Sequence, residues 1–126
     1  MTKAAELGDL EARFDLGFMY YKRARGGVEV DMKKAVYHWE KAAIGGNPFA
    51  RHNLACIEEE NGNIERAVRH FIIAAKLGYE DSMKALWDVF KIGCISKDDL
   101  AATLRSHQAA LDAMKSPQRD AAEAAL

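Results

Sequence analysis

The side chains best able to do chemistry in this sequence are few, and they fall on helical spacing. His52 and Cys56 stand four residues apart, which puts an imidazole and a thiol on one face of a helix. That is an acceptable half-site for zinc, but a site needs a third ligand, and nothing adjacent in sequence completes a fixed cluster. Read as a nucleophile with its base, the pair has neither a third group to orient the imidazole nor oxyanion donors. His38 and His70 recur 32 residues apart beside Trp39 and Phe71, which marks them as residues of a repeat position. Gly26-Gly27 and Gly45-Gly46 lack the preceding strand and following Lys-Ser/Thr of a phosphate loop, and read as turn glycines. No catalytic residue, metal or cofactor is expected, so function must reside in a surface.

Composition narrows the partners. The 126 residues are 49% hydrophobic and 29% charged with a net charge of −1, which suits one domain. Binding a duplex needs a basic field to release phosphate counterions, so nucleic acid is disfavoured. No apolar run approaches the roughly 20 residues that span a bilayer, so no membrane partner is expected. The opening Met-Thr-Lys-Ala-Ala-Glu lacks the apolar stretch of a secretory signal. Two cysteines, Cys56 and Cys94, are too few for a disulfide framework, and the expected location is cytoplasmic.

The elements that must position any such surface announce themselves by repetition. Residues 4–17 align without gaps over residues 42–55, and both align over residues 74–87, at spacings of 38 and then 32. Asp31, Ala35, Trp39 and Ala42 lie over Asn63, Ala67, Phe71 and Ala74 at the same spacing of 32. The length difference falls around Gly26-Gly27-Val28-Glu29-Val30, in a loop, as a repeat array requires. Each repeat reads as two helices. Ala12, Leu16 and Tyr20, then Ala50 and Leu54, then Ser82, Leu86 and Phe90 draw a stripe on each first helix. Ala35, Trp39 and Ala42, then Ala67, Phe71 and Ala74 do so on each second helix.

The spacing predicts helices near 9–23, 32–44, 48–60, 63–76, 80–92 and 97–114. Asp31, Asn47, Asn63 and Ser96 stand where N-caps are needed, with Pro48 at a first helical position and Asp99 completing an approximate capping box with Ser96. Gly46 and Gly78 follow Ala-Ala pairs, where helices end in a left-handed residue. The expected organisation is one repeat domain over 1–126, with repeats at about 9–46, 47–78 and 79–95. A capping helix follows at 96–114 and a short Ala-rich tail at 115–126. Lys3 to Gly8 reads as the last turn of a preceding second helix.

The pattern Ala12-xxx-Leu16-Gly17-xx-Tyr20, followed by Gly26-Gly27-Val28-xx-Asp31-xx-Lys34-Ala35-xxx-Trp39-x-Lys41-Ala42-Ala43-xx-Gly46-xxx-Ala50, resembles the Sel-one-like repeat of the tetratricopeptide-like helical proteins. The likeness covers roughly residues 4–92. The second repeat departs from it with Ala55 where glycine is usual and Glu58 where an aromatic is usual. The resemblance implies an all-α, α-α superhelix, a right-handed solenoid of antiparallel helix pairs. It implies a scaffold or adaptor that takes a peptide or helix of another protein on its concave face. The stretch from His107 to Arg119 also resembles the ends of longer relatives carrying a zinc module of ubiquitin-ligase type. A structural or oligomerising segment of a longer repeat protein is the alternative reading.

In the tetratricopeptide relatives the concave face is lined by first-helix residues lying away from the packing edge. Carried onto this sequence, the resemblance gives Phe14, Phe18, Tyr21 and Lys22, then His52, Cys56, Glu59 and Glu60, then Lys84, Asp88 and Lys91. At about 100° per residue, Leu16 and Tyr20 lie within about 80° of Ala12, whereas Tyr21, Phe14 and Phe18 lie about 180–240° around. Rings opposite the packing stripe are expected either to bind a partner or to join a second copy through the N-terminal face. The column grades from aromatic to acidic to mixed in sign. A partner with an apolar anchor followed by basic residues would fit it, and Glu59 is the best placed of the glutamates.

Overall fold

A computed structural model of the chain describes the backbone of residues 3–27 and 29–124 and the side chains of residues 8–27 and 31–115. Six helices run in sequence: α1 (Lys3–Arg25), α2 (Glu29–Ile44), α3 (Pro48–Glu60), α4 (Ile64–Lys76), α5 (Glu80–Lys91) and α6 (Lys97–Ala124). Among the described residues there is no strand. The pairs α1–α2, α3–α4 and α5–α6 stack as an all-α superhelical array, each second helix also packing on the first helix of the next pair.

Local chemistry sets the joints. At the start of α3 the Asn47 side chain accepts from the Ala50 amide at 3.0 Å, and Pro48 follows with φ already suited to a helix. Ser96 accepts from the Asp99 amide at 3.1 Å and opens α6. Gly46 (φ 102°) and Gly78 (φ 99°) close α2 and α4 in the left-handed region, where a side chain would be strained. Asn63 sits at its cap position, but its side chain donates to Glu58 at 2.8 Å and does not cap.

Two apolar clusters hold the array. Ala35, Trp39, Ala42 and Ala43 of α2 close over Ala50, Leu54 and Ile57 of α3, and Phe14, Tyr20 and Tyr21 of α1 pack on the same group. Ala67, Val68, Phe71 and Ala75 of α4 close over Met83, Leu86 and Val89 of α5, with Ile95 and Leu100 completing the group. Small residues let the axes approach while Trp39 and Phe71, both buried, fill the remaining space. At Gly17 the approach of α1 to α2 is close enough that a Cβ would overlap the Trp39 indole. The indole N–H donates to the Phe14 carbonyl at 3.1 Å.

The structure departs from the sequence expectations at four places. Lys3 to Gly8 continue into α1 as one helix and do not end an earlier one. Helix α2 begins at Glu29, so Asp31 lies inside its first turn, buried, and forms an ion pair with Arg23 at 3.0 Å instead of capping. Val28, in the expected loop, lies outside the described residues. Helix α6 runs through Pro117 to Ala124, well beyond residue 114, while Ala125 and Leu126 lie outside the described residues.

The fourth difference concerns α1. Its buried side carries Gly17 with Phe14 and Tyr21 half-buried beside it, whereas Ala12 and Leu16 of the expected packing stripe are exposed. The stripe holds at Ala50 and Leu54 of the second repeat and at Ser82 and Leu86 of the third, all buried, but Phe90, its last expected member, is exposed. No described helix precedes α1 to cover Ala12 and Leu16. At the other end α6 crosses the end of α4, where the buried His107 Nδ1–H donates to the Ala75 carbonyl at 2.8 Å. Trp87, at the position of Gly17 and Ala55, is left 43% exposed beside Phe90, with ring centroids 6.4 Å apart.

Candidate protein-binding groove

The first helices of the three pairs present one side of the array together. Between α3, α4 and α5 lies a cleft of about 640 Å³ that includes His52, Cys56, Glu59, Lys84 and Asp88 in its lining. A hollow of about 310 Å³ continues it toward α1, lined by Phe18, Tyr21 and Glu60 with the same His52 and Cys56. His52 and Cys56 border both, so the two hollows adjoin along the first helices. Phe18, Tyr21, His52, Cys56, Glu59, Glu60, Lys84 and Asp88 are therefore brought together. Phe14 is not: it borders a separate hollow of about 440 Å³ with Leu10 and Phe49. Lys22 and Lys91 line neither part, and the Lys22 ammonium lies over the Phe18 ring, 5.0 Å from its centroid.

The floor is what sequence reasoning missed. Ile64, Phe71, Ala85, Val89 and Ile92 give the cleft an apolar base, and Trp39 lies beneath its α1 end. Trp39 and Phe71 were legible only as core. Their column serves both as the packing of each helix pair and as the bottom of the groove, a dual role that spacing along one helix does not reveal.

His52 is pinned across the groove. Its Nδ1 lies 2.7 Å from the Ser82 hydroxyl, and its ring meets Phe71 and Tyr79 at centroid distances of 5.2 and 5.1 Å. Burial lowers its pKa, against a weaker opposing pull from Asp81, so the ring is neutral at pH 7. Burial first, then the nearby Glu59 and Glu60 carboxylates, pushes the Cys56 thiol above its ordinary value. A thiol held in its protonated form is a poor nucleophile and a poor metal ligand. With the imidazole nitrogen engaged by Ser82, the pair is built as groove wall.

The charges on the rim are unevenly committed. Arg25 donates to Glu60 and also to the Tyr21 hydroxyl, tying α1 to the end of α3. Glu58 accepts from Asn63, and Asp81 accepts from the Tyr79 hydroxyl at 3.1 Å. Asp88 lies 3.9 Å from Lys91, a loose exposed pair. Glu59 and Lys84 form no ion pair within 4 Å in the described structure. The setting of Glu59 is costly: α1, α2, α4 and α5 end on basic residues, but α3 ends on Glu58-Glu59-Glu60 with none. Carboxylates at the negative end of a helix dipole cost about 0.3–1 kcal/mol each.

An array of antiparallel helix pairs with a groove along its first helices is a helical-repeat interaction module. The Sel1 repeat pattern matches residues 10–47 and again 48–79, and the chain belongs to the Sel1 repeat family, whose repeats serve protein–protein interaction. No curated protein and no solved structure matches the chain. Among the described residues no helix is long and apolar enough to cross a membrane, and no three His, Cys, Asp or Glu side chains gather as a metal site.

Proposed function

We propose that the chain is a non-catalytic scaffold whose groove holds a peptide or helix of a partner protein. The observation that carries this reading is a pair of adjoining hollows with apolar residues in their lining, with Glu59 on α3 and Lys84 on α5 bordering the larger one and in no ion pair among the described residues. An apolar side chain of the partner seats against Ile64, Ala85 and Ile92, the accessible apolar residues of the cleft, and a basic residue beside it meets Glu59 at the negative end of α3. The apolar contact supplies most of the affinity, while the rim charges set the encounter rate and its salt dependence.

The test is selection from a displayed random-peptide library on the intact chain, followed by measured affinities for the peptides recovered. Recovered peptides are expected to pair an apolar residue with Lys or Arg. Glu59→Lys should weaken them by about tenfold, some 1.4 kcal/mol. Ala85→Arg, which fills the floor, should abolish binding at unchanged helical circular dichroism. Recovery of no peptide, or of peptides indifferent to both changes, would overturn the reading.

A further inference from the structure

The hollow outside the groove has a chemistry of its own. It measures about 440 Å³ and lies between α1, which contributes Leu10, Glu11, Phe14 and Asp15, and the turn into α3, which contributes Gly45 and Phe49. The Phe14 and Phe49 rings border it with centroids 6.0 Å apart, and Phe49 is 49% exposed. Glu11 and Asp15 stand four residues apart on one side of α1, both exposed. Neither forms an ion pair with a described side chain, and no Lys or Arg lines the hollow.

The next joint of the array shows what fills such a space. There the Tyr79 ring stands at the repeat position of Asn47. It packs on Phe49 and His52, the equivalents of Glu11 and Phe14, at centroid distances of 4.9 and 5.1 Å. Its hydroxyl donates to the Asp81 carboxylate at 3.1 Å. The chain's own filling at that joint is thus a planar group that stacks on rings and donates to a carboxylate. At the first joint Asn47 has no ring, and its side chain accepts from the Ala50 amide to cap α3. The place of the ring is left to the hollow.

We propose that this hollow takes an arginine side chain of a partner protein, its guanidinium stacked on Phe14 and Phe49 and donating to Glu11 and Asp15. The guanidinium is planar, carries five donors and is weakly hydrated, so it matches both the rings and the paired carboxylates. A lysine ammonium brings the charge without the plane. The negative faces of the rings add to the attraction. Phe14 lies 6.3 Å from Phe18, which borders the groove, so one partner segment running along the first helices reaches both. The inference rests on the reading that the chain holds a partner protein.

A nuclear magnetic resonance titration of the intact chain with the blocked peptide acetyl-Ala-Arg-Ala-amide, beside its lysine and norleucine counterparts, tests this. The arginine peptide should give saturable shifts at Glu11, Phe14, Asp15 and Phe49, with a dissociation constant in the millimolar range. The lysine peptide should bind about threefold more weakly or worse, and the norleucine peptide not at all. Glu11→Gln/Asp15→Asn should weaken the arginine peptide by about tenfold, and Phe49→Leu by about threefold, both at unchanged helical circular dichroism. No saturable shift at these residues would overturn the proposal. So would lysine or norleucine peptides that bind as well as arginine, or a carboxamide double variant that binds like the original chain. Peptides held in the groove are read separately, by shifts at Ile64, Ala85 and Ile92, so failure of the groove reading and failure of this one are told apart.

Discussion

At the scale of single residues, a contact between the first and second helix recurs in two repeats. The Arg13 guanidinium lies 3.5 Å from His38 Nδ1, and Arg51, at the same repeat position, lies 3.3 Å from His70 Nδ1. A guanidinium can only donate, so each imidazole accepts at Nδ1 and carries its proton on Nε2. For both rings burial lowers the pKa first and the arginine lowers it further. Such a histidine contributes its full stability above the unfolded value of about 6.5 and loses it below, because the unfolded chain takes the proton first. The urea midpoint should therefore hold level between pH 7 and 8 and fall between pH 6.5 and 5. In a nuclear magnetic resonance titration His70 should titrate below 6.5, and Arg51→Gln should raise it only partway, since burial remains. A midpoint that rises on acidification would contradict the assignment. The sequence showed that His38 and His70 share a repeat position. It did not show their arginines, because those lie 25 and 19 residues away and meet the rings only through the registry of two helices.

At the scale of elements, two glycines of α1 carry opposite predictions. Gly8 is helical with open space where a Cβ would stand, so Gly8→Ala should stabilise the chain by up to about 1 kcal/mol through helix propensity. Gly17→Ala drives a methyl into the Trp39 indole and should cost about 1–3 kcal/mol despite the same gain in propensity. Chemical denaturation of both variants checks the pair, and equal signs would refute the close α1–α2 approach. Asn47→Ala removes the one side-chain cap of α3 and should cost about 1 kcal/mol. Helix bounds were readable where such signals act: α3 spans 48–60 as its Asn-Pro start and glycine-containing end dictate. They were misread at the start of α1 and the end of α6, where Gly8 and Ser116-Pro117 read as breaks, yet α1 and α6 run through them between Ala-rich flanks of high helix propensity.

At the scale of the whole molecule, the repeat period made the superhelical fold legible in the sequence, because each recurrence is one helix pair that buries its stripe on a neighbour. The walls of the groove were legible only through the resemblance to tetratricopeptide-like repeats, which named His52, Cys56, Glu59, Lys84 and Asp88 as concave-face residues; all five line the cleft. Its floor was not, because Ile64 and Phe71 belong to α4 and reach the groove from beneath. Nor was the exposed side of α1, which periodicity marks as core and only the absence of a described helix before it leaves open.

The central claim, that the groove is where a partner protein sits, is tested most directly by site-specific photo-crosslinking in an extract of the organism that makes the chain. A benzophenone amino acid placed at Ala85, on the groove floor, should capture a discrete protein, and Glu59→Lys in the same chain should reduce that product. The same probe at Arg105, exposed on α6, should capture nothing in common with it. Capture of the same protein from Arg105, or a product at Ala85 that Glu59→Lys leaves unchanged, would contradict the account.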